Sequence, residues 1–217
     1  MKILLAILSC QGYAERRGAQ RDTWLKDLHG ADYRFFVGRP STRDWEHVIA
    51  PDVVLLNCCD DYSGLSEKVR KIVAWAYIHR YDFLFKADDD TYIWPERLLE
   101  SGFEAHSYSG FIEDRDAHLR AFNFPVYPHA RGGSGYWIDR KAMGAVLNEL
   151  PDKRHQEDFA VGEAVAKRGL STFHDDRYSD IQDRATHVAP ISLHSCGIRR
   201  MREIHAQVTS SSAIGVD

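Results

Sequence analysis

The stretch FLFKADDDTY, residues 83–92, places three consecutive carboxylates directly after an apolar run that is typical of a buried strand. Neighbouring carboxylates repel one another, and burying even one unpaired charge is costly. The acids Asp88, Asp89 and Asp90 therefore need open water or a cation, and the apolar residues on both sides of them favour the cation. A solvated acidic turn that caps the next helix is the alternative reading of this stretch.

Apolar runs upstream of the acids predict further strands. Residues 3–8 (ILLAIL), 33–38 (YRFFVG) and 52–57 (DVVLLN) have the continuous pattern of strands buried in a parallel sheet. Apolar residues at helical spacing between residues 66 and 80 predict a helix that covers one face of this sheet. The order strand, helix, strand predicts a crossover unit, and ligands bind beyond the carboxyl ends of the strands in such sheets.

Two downstream segments predict a short strand and two helices. In HARGGSGYWIDRKAM, residues 129–143, a glycine cluster precedes a strand around residues 136–138, and Asp139 caps a helix that Pro151 ends. In EDFAVGEAVAKRGL, residues 157–170, the pattern predicts a helix with two acids in its first turn and Gly169 as its C-terminal stop.

Length and composition indicate a single globular domain over residues 1–217, of which the last eight residues are expected to be frayed. Hydrophobic residues make up 44% of the chain and charged residues 28%, which is ordinary globular composition. The net charge of −4 provides no general attraction for nucleic acid or an anionic membrane. An anionic substrate therefore needs a local binding site, such as a metal ion.

The cysteines and the N-terminal run bear on location. Cys10, Cys58, Cys59 and Cys196 show no Cys-x-x-Cys spacing, which favours reduced thiols and a cytoplasmic protein. The apolar run of residues 3–8 is too short for a membrane span or a typical signal core, so we expect no transmembrane segment.

Five segments of the chain resemble one known family. KADDDTYIWPERL (residues 86–98) resembles the Lys-x-Asp-Asp-Asp signature of the inverting β-1,3-glycosyltransferases, a family that contains β-1,3-galactosyltransferases, β-1,3-N-acetylglucosaminyltransferases and the Fringe enzymes. Four other segments resemble family blocks in the same order, namely ERRGAQRDTW, DDYSGLSEKVRKIVAW, YPHARGGSGYWIDRKAM and QEDFAVG. Because the matches extend over most of the chain, we identify it as a member of this family.

The resemblance implies a fold and a metal site. The fold is a single GT-A-type (Rossmann-like) α/β domain with a mixed, mostly parallel central sheet, which binds a nucleotide-sugar at an Asp-x-Asp (DXD) motif. Mn²⁺ or Mg²⁺ bridges the diphosphate to Asp88, Asp89 and Asp90, with Asp90 as the foremost direct ligand. ISLHSCGIRRM resembles the stretch that carries the family's histidine ligand, which assigns His194, with His187 as the alternative.

The resemblance also assigns the catalytic base and the nucleotide contacts. The Glu-Asp block places the base at Asp158 rather than at Glu157, although first-turn acids also simply favour helix initiation. Arg21, Asp61 and Lys68 fall on matched positions and are predicted to contact the nucleotide, with surface ion pairs as the alternative.

The predicted function is a metal-dependent inverting transfer of a hexose or N-acetylhexosamine from a UDP-sugar to a glycan hydroxyl, forming a β-1,3 linkage. A metal-dependent phosphohydrolase and a non-catalytic carbohydrate-binding protein are the alternatives. The animal members of the family have a membrane anchor, a stem and disulfide cysteines. We expect none of these here, and we expect a compact bacterial- or viral-type enzyme of polysaccharide biosynthesis. Departures from the family pattern at Gly64, Ser66, Thr91 and Tyr92 leave the donor sugar and the acceptor open.

Overall fold

In the computed structural model of this chain, residues 1–39, 47–113, 127–149, 156–183 and 189–214 are described. These residues form the strands β1 (Ile3–Leu8), β2 (Asp32–Gly38), β3 (His47–Ala50), β4 (Val53–Leu56), β5 (Phe83–Asp88), β6 (Tyr92–Ile93), β7 (Tyr108–Gly110), β8 (Ile112–Glu113), β9 (His129–Ala130), β10 (Tyr136–Asp139), β11 (Thr172–His174), β12 (Tyr178–Asp180) and β13 (Ser192–His194). The α-helices are α1 (Ala14–Asp22), α2 (Leu65–Ile78), α3 (Pro95–Leu99), α4 (Arg140–Glu149), α5 (Glu157–Lys167) and α6 (Ile198–Ile214).

The central sheet is mixed and mostly parallel. Its strand order within the described residues is β11-β7-β10-β5-β1-β2-β4-β3. Strands β10 and β3 lie antiparallel to their neighbours, whereas the pairs β5 with β1, β1 with β2, β2 with β4 and β11 with β7 are parallel. The parallel strands therefore bring their carboxyl ends, including the end of β5 at Asp88, to one edge of the sheet.

Side chains of the central strands alternate between two hydrophobic layers. In β1, Leu4 and Ala6 pack on the face that α2, α4 and α5 cover. Leu5 and Ile7 pack on the opposite face, in a cluster with Trp24 of the segment after α1 and residues of α6. Because both faces are covered, the strands are apolar at successive positions, which is the continuous pattern that the sequence shows.

Most of the predicted elements are present. The structure confirms strands at the predicted positions, the helix over residues 65–78 and the helix that begins at Glu157. Asp139 caps α4, since its carboxylate accepts a hydrogen bond of 2.7 Å from the Ala142 amide. Gly169 follows α5 with φ of 59°, a conformation that glycine adopts readily. The proposed stop at Pro151 lies outside the described residues.

The C-terminal region contains a long helix that was not predicted from the sequence. Helix α6 extends through Ile214, which includes part of the eight residues that were expected to be frayed. Met201 and Ile204 of this helix are buried against the sheet. No helix in the described part of the chain is both long enough and apolar enough to cross a membrane. The four cysteines are free thiols, and the cytoplasmic location stays a prediction.

Two small sheets lie beside the central one and carry site residues. Strands β12, β13 and β6 form one, in which Leu193 pairs with Tyr92 and Asp180 pairs with His194. Strands β8 and β9 form the other, in which Glu113 pairs with His129. The first small sheet brings the chain around His194 to the turn that follows β5.

Candidate active site

Hydrogen bonds from three parts of the chain hold the acidic turn after β5: from α1, from the segment after β13 and from the glycine cluster. The buried Gln20 side chain of α1 donates to the carbonyls of Asp88 (3.1 Å) and Thr91 (3.0 Å). The Cys196 amide donates to the Asp90 carbonyl (2.8 Å), and the Thr91 hydroxyl donates to the Gly133 carbonyl (2.7 Å). These bonds fix the backbone that presents the three carboxylates.

Two of the three carboxylates face His194. The Nε2 atom of His194 lies 3.3 Å from Asp90 Oδ1 and 3.8 Å from Asp88 Oδ2. Ligand atoms of the three residues lie within 4.8 Å of one another, and each residue is partly exposed. The structure therefore brings together Asp88, Asp90 and His194 out of the four residues that were predicted at the metal-diphosphate site. The alternative ligand His187 lies outside the described residues.

Asp89 points away from this cluster. Its carboxylate is buried and accepts hydrogen bonds from Ser9 Oγ (2.7 Å) and Arg16 Nη1 (3.0 Å). Burial raises the pKa of Asp89, and the bonds from Ser9 and Arg16 only partly offset this effect. The geometry does not support the predicted contact of Asp89 with the diphosphate, because both of its oxygens already bind groups of the protein.

His194 is oriented by Asp180, a residue that the sequence reading missed. Nδ1 of His194 lies 2.7 Å from Asp180 Oδ2, and because a carboxylate only accepts, Nδ1 carries the donated proton. The Ser195 hydroxyl donates to the same Asp180 oxygen (3.1 Å). Such a partner fixes the ring orientation and directs the other nitrogen at the cluster. Asp180 and His194 are 14 residues apart, so only the pairing of β12 with β13 reveals the contact.

Charge in the cluster changes the pKa values of two of its members. Burial alone would lower the pKa of His194, but its hydrogen bonds to Asp90 and Asp180 and the charge of Asp88 raise the pKa to about 9. Burial alone would raise the pKa of Asp90, but His194 and Arg16 hold it below its ordinary value. At neutral pH His194 is therefore protonated while Asp90 is ionised.

The glycine cluster leaves room for two side chains of the site. A Cβ atom on Gly133 would lie 2.3 to 2.5 Å from the His194 ring, and one on Gly132 would lie 2.5 Å from Glu157 Oε1. Contacts this short do not occur between real atoms, so any larger residue at these positions displaces a neighbour. The backbone of Gly132 and Gly133 thus lies directly against Glu157 and His194.

A first cleft opens on the acidic turn at the carboxyl ends of β1 and β5. Its volume is about 290 Å³, and its lining includes Ser9, Tyr13, Arg16, Asp61 and His194 together with the three aspartates. The Arg16 guanidinium contacts the Tyr13 ring, 4.2 Å from its centroid, and lies 3.1 Å from Asp90 Oδ2. Arg16 thus places a positive charge beside the group formed by Asp88, Asp90 and His194. It was not among the residues predicted to contact the nucleotide.

Lys68 and Asp61 lie in the first cleft as predicted, but both have internal partners. Lys68 is buried and donates to the Ser9 carbonyl (2.9 Å) and to Asp60 Oδ1 (2.7 Å). Asp61 Oδ1 caps the turn at residues 62–64, accepting from the amides of Ser63 (3.0 Å) and Gly64 (3.2 Å). Lys68 therefore orients the wall of the cleft, while Asp61 remains exposed at its rim.

Arg21 lies outside this cleft, contrary to its predicted nucleotide contact. Its Nε donates to Asp52 Oδ2 (2.6 Å) at the start of β4, and its guanidinium packs on the Phe35 ring. The start of β4 is the opposite end of that strand from the edge that carries the acidic turn. We therefore replace Arg21 by Arg16 in the candidate site.

A second cleft adjoins the first at His194. Its volume is about 370 Å³, and it is lined by Glu113, His129, Arg131, Gly132, Gly133, Ser134, Asp158, Phe159, Asp180 and His194. The Asp158 carboxylate is partly exposed, and it accepts a hydrogen bond of 2.9 Å from the Phe159 amide. Glu157 turns the other way into the core, where it is 5% exposed. The structure thus distinguishes the two acids of the Glu-Asp block.

Arg131 forms a charged network in the wall of the second cleft. It donates to Glu113, and its Nη1 donates to both oxygens of Asp183 (2.8 and 3.0 Å). Its guanidinium also stacks over the Phe111 ring. Opposite-sign partners hold each of these charges in place, so the wall is polar and pre-formed.

Residues 15–176, which are most of the chain, match the protein-family model described as Galactosyltransferase. The chain belongs to this family. The match confirms the resemblance that the five motifs suggested.

Curated relatives of this galactosyltransferase-family chain are β-1,3-transferases. It is 26% identical over 142 residues to a UDP-GalNAc:beta-1,3-N-acetylgalactosaminyltransferase 2 of Xenopus laevis, with coverage of 58% of this chain and 29% of the relative. It is 25% identical over 202 residues to an N-acetyllactosaminide beta-1,3-N-acetylglucosaminyltransferase 4 of Homo sapiens, with coverage of 79% and 53%. The chain therefore spans about half, or less, of the length of these relatives.

Solved structures show the same fold at low sequence identity. The galactosyltransferase LgtC, in complex with donor and acceptor sugar analogs, superposes with a TM-score of 0.54 at 10% identity, covering 94% of this chain and 95% of LgtC. An active-site mutant of LgtC gives a TM-score of 0.53. The fold of this family member is therefore the GT-A-type α/β fold that was predicted.

Proposed function

We propose that this protein is a metal-dependent inverting glycosyltransferase that moves a hexose or N-acetylhexosamine from a UDP-sugar to a hydroxyl of a glycan acceptor. The observation that carries the proposal is the pair of adjoining clefts: one opens on Asp88 and Asp90, the other on Asp158, and His194 lines both. A donor and an acceptor need two such clefts that meet at the reacting atoms.

The residues present fit a divalent ion. Asp88, Asp90 and His194 offer two carboxylate oxygens and one imidazole nitrogen. Carboxylates suit Mg²⁺ and Mn²⁺, which complete their shells with substrate phosphate and water. When bound, such an ion neutralises the negative charge that accumulates on a departing nucleoside diphosphate. We propose Mn²⁺ or Mg²⁺ at these three residues.

Residues of the first cleft are proposed to bind and orient the donor. The Arg16 guanidinium provides positive charge for the diphosphate. The exposed Asp61 carboxylate, which lines the same cleft, is proposed to accept a hydrogen bond from the uracil or the ribose. Lys68 acts indirectly, because it holds Asp60 and the Ser9 carbonyl in the wall.

Asp158 is proposed as the base. An inverting transfer requires one group that removes the proton from the acceptor hydroxyl while its oxygen attacks the anomeric carbon on the face opposite the leaving diphosphate. Asp158 opens on the second cleft, where His129 and Phe159 stack with ring centroids 3.8 Å apart. Both rings and Arg131 line this cleft, so it combines aromatic and charged groups, which suits a sugar ring with polar edges.

The relatives support finer choices of linkage and donor. Both have β-1,3 in their names, and one is named for UDP-GalNAc as well. We therefore propose a β-1,3 linkage and a screen that begins with UDP-linked N-acetylhexosamines. The screen measures UDP release, since selection among sugars depends on few contacts.

The two alternative functions are less well supported. A two-metal phosphohydrolase needs ligands for a second ion, whereas the described residues contain one group of at least three potential ligands. A carbohydrate-binding protein needs neither a charged diphosphate cleft nor an acid in a second cleft.

Thermal stability measured with and without UDP and Mn²⁺ tests the donor site. With Mn²⁺ present, UDP at about 100 times its dissociation constant is expected to stabilise the protein by about 2.7 kcal/mol. This stabilisation corresponds to a rise in the Tm of about 5 to 10 °C. UDP with a chelator, Mn²⁺ alone and free sugars serve as controls. Stabilisation by free sugar alone, without any effect of UDP and metal, would contradict the proposal.

Metal binding is expected to depend on pH through His194. With a pKa of about 9 in the metal-free protein, this ring is protonated at pH 7, and the Nε2 proton must leave before the nitrogen can bind an ion. The apparent metal affinity is therefore expected to rise about tenfold per pH unit between pH 7 and pH 8. Calorimetry in buffers of different ionisation enthalpy measures the released proton.

A His194→Gln variant is the control for this pH dependence. It is expected to bind the metal more weakly and with a flatter dependence on pH, because its amide releases no proton. Wild-type affinity that stays constant between pH 7 and pH 8 would show that His194 does not exchange a proton for the ion.

A further inference from the structure

Two motif residues, Lys86 and Glu157, form a buried ion pair that the proposed reaction does not use directly. Lys86 is 2% exposed and Glu157 is 5% exposed. Lys86 Nζ lies 2.8 Å from Glu157 Oε1. Lys86 belongs to the Lys-x-Asp-Asp-Asp motif and Glu157 to the Glu-Asp block, so the pair joins two segments that are 71 residues apart.

The Lys86 ammonium has three oxygen atoms around it. Nζ donates to Glu157 Oε1 (2.8 Å) and to the Gly132 carbonyl (3.0 Å), and it forms an ion pair with Asp88, whose Oδ1 lies 2.8 Å away. Through these contacts the lysine ties β5, the glycine cluster and the start of α5 together.

Glu157 is fixed through its second oxygen as well. Oε2 accepts a hydrogen bond of 2.9 Å from the Tyr136 hydroxyl, and Tyr136 lies opposite Lys86 in the pairing of β10 with β5. Glu157 is the first residue of α5, and Asp158 is the next. Because successive residues of a helix have fixed relative directions, holding Glu157 in the core holds Asp158 toward the second cleft.

We propose that Glu157 is a positioning residue of the transfer reaction: through Lys86 and Tyr136 it fixes the helix start that carries Asp158 relative to the metal ligand Asp88. This inference rests on the proposed function. Asp88 uses Oδ1 for Lys86 and turns Oδ2 toward His194, so the same lysine orients a metal ligand and, through Glu157, the base.

A contribution to stability does not account for this network. A buried ion pair is often no more stabilising than apolar residues of the same volume, because desolvation of the two charges offsets their attraction. Directional bonds do restrict orientation, which packing alone does less well. Orientation matters here, because misplacing a reacting group by about 1 Å can lower a rate about 100-fold.

The test compares Glu157→Ala with Glu157→Gln in the full chain. Glu157→Ala is expected to lower kcat for transfer about 100-fold while leaving the donor KM and the Mn²⁺-dependent UDP affinity unchanged. Glu157→Gln keeps an acceptor for Lys86 and a group that can bond Tyr136, so it is expected to recover most of the lost rate. Rates are normalised to the folded fraction, measured by circular dichroism.

Tyr136→Phe provides a milder variant in case Glu157→Ala does not fold. It removes one buried hydroxyl that donates to Glu157 and is expected to lower kcat about tenfold. Tyr81→Phe is the matched control, because Tyr81 is also buried and donates to a carboxylate, Asp32, at 2.8 Å. Tyr81 precedes β5, at the end of that strand remote from the acidic turn, so its loss is expected to lower stability without changing kcat.

Three outcomes would overturn the inference while leaving the proposed function in place. The first is a wild-type transfer rate in Glu157→Ala. The second is an equal kcat for transfer in Tyr136→Phe and Tyr81→Phe. The third is a fall in UDP affinity in Glu157→Ala that is as large as the fall in kcat, which would indicate a role in the donor site instead. Absence of transfer and of UDP binding in the wild-type protein would instead contradict the proposed function itself.

Discussion

Replacing Asp90 by alanine is expected to abolish both metal-dependent UDP binding and sugar transfer. Asp90 is in contact with His194 and Arg16, so its removal deletes a ligand and unbalances two neighbouring cations. Without a carboxylate at this position, the cluster loses one negative ligand while the positive charge of Arg16 remains, so an incoming cation is bound less favourably. We expect the Mn²⁺-dependent UDP affinity to fall at least about 100-fold, which corresponds to a loss of about 2.7 kcal/mol.

Asp52→Ala is the matched control for this variant. Asp52 is also an aspartate paired with an arginine, since Arg21 Nε lies 2.6 Å from its Oδ2, but it is outside both clefts. Its loss is expected to leave UDP binding intact. Titration calorimetry of both variants with UDP and Mn²⁺ makes the comparison. Unaltered metal-dependent UDP affinity in Asp90→Ala would remove Asp90 from the ligand set.

The central strands β1, β2, β4 and β5 could be predicted because each contains at least three successive apolar residues. Strands β6, β8 and β9 are two residues long, and β7, β11, β12 and β13 are three residues long. A pattern this short has no measurable period, and such strands depend on partners that are distant in sequence. The mixed direction of the sheet, set by β10 and β3, was supplied by the family resemblance alone.

Helix α6 had a sequence signal that was overlooked. Ile198, Met201, Ile204 and Val208 recur at helical spacing, and all four pack against the core. The match of ISLHSCGIRRM to the family's histidine stretch led to a predicted metal ligand in this region but to no predicted helix. A periodicity count over residues 198–208 would have predicted the helix.

The acidic triplet was recognised from its sequence, but the direction of each side chain was not. Asp88 ends β5, but Asp89 and Asp90 lie in the turn that follows, where the alternation of strand side chains no longer applies. Their directions depend on the turn backbone, which contacts from Gln20 and Cys196 hold. Asp89 therefore binds Ser9 and Arg16 while its two neighbours face His194.

Choosing between Arg16 and Arg21 also required helix geometry. The two residues are five positions apart in α1, which at 100° per residue places them about 140° apart around the axis. Only one of them can face the cleft, and the motif match selected the other. Asp180 and Arg131 carry no such local signal, since strand pairing over long sequence separations brings them to the site.

Replacing Asp158 by asparagine is expected to separate binding from catalysis. The amide keeps the size of the carboxylate and can still accept the bond from the Phe159 amide, so helix α5 is retained. It cannot take a proton from the acceptor hydroxyl, and loss of a general base typically costs about 100- to 10,000-fold in rate. UDP and Mn²⁺ affinity are expected to stay at the wild-type level, because the metal cluster and the first cleft are unchanged.

The measurement is UDP release with donor and acceptor, alongside calorimetry of UDP with Mn²⁺. Glu163→Gln is the matched control: it lies on the same helix and weakens an ion pair with Lys167, which is worth little when one partner is exposed. We expect the control to transfer sugar at the wild-type rate. If Asp158→Asn also transfers at that rate, Asp158 is not the base. Asp158 then serves only to favour the start of α5, as first-turn acids do in many helices, since its charge interacts favourably with the helix dipole.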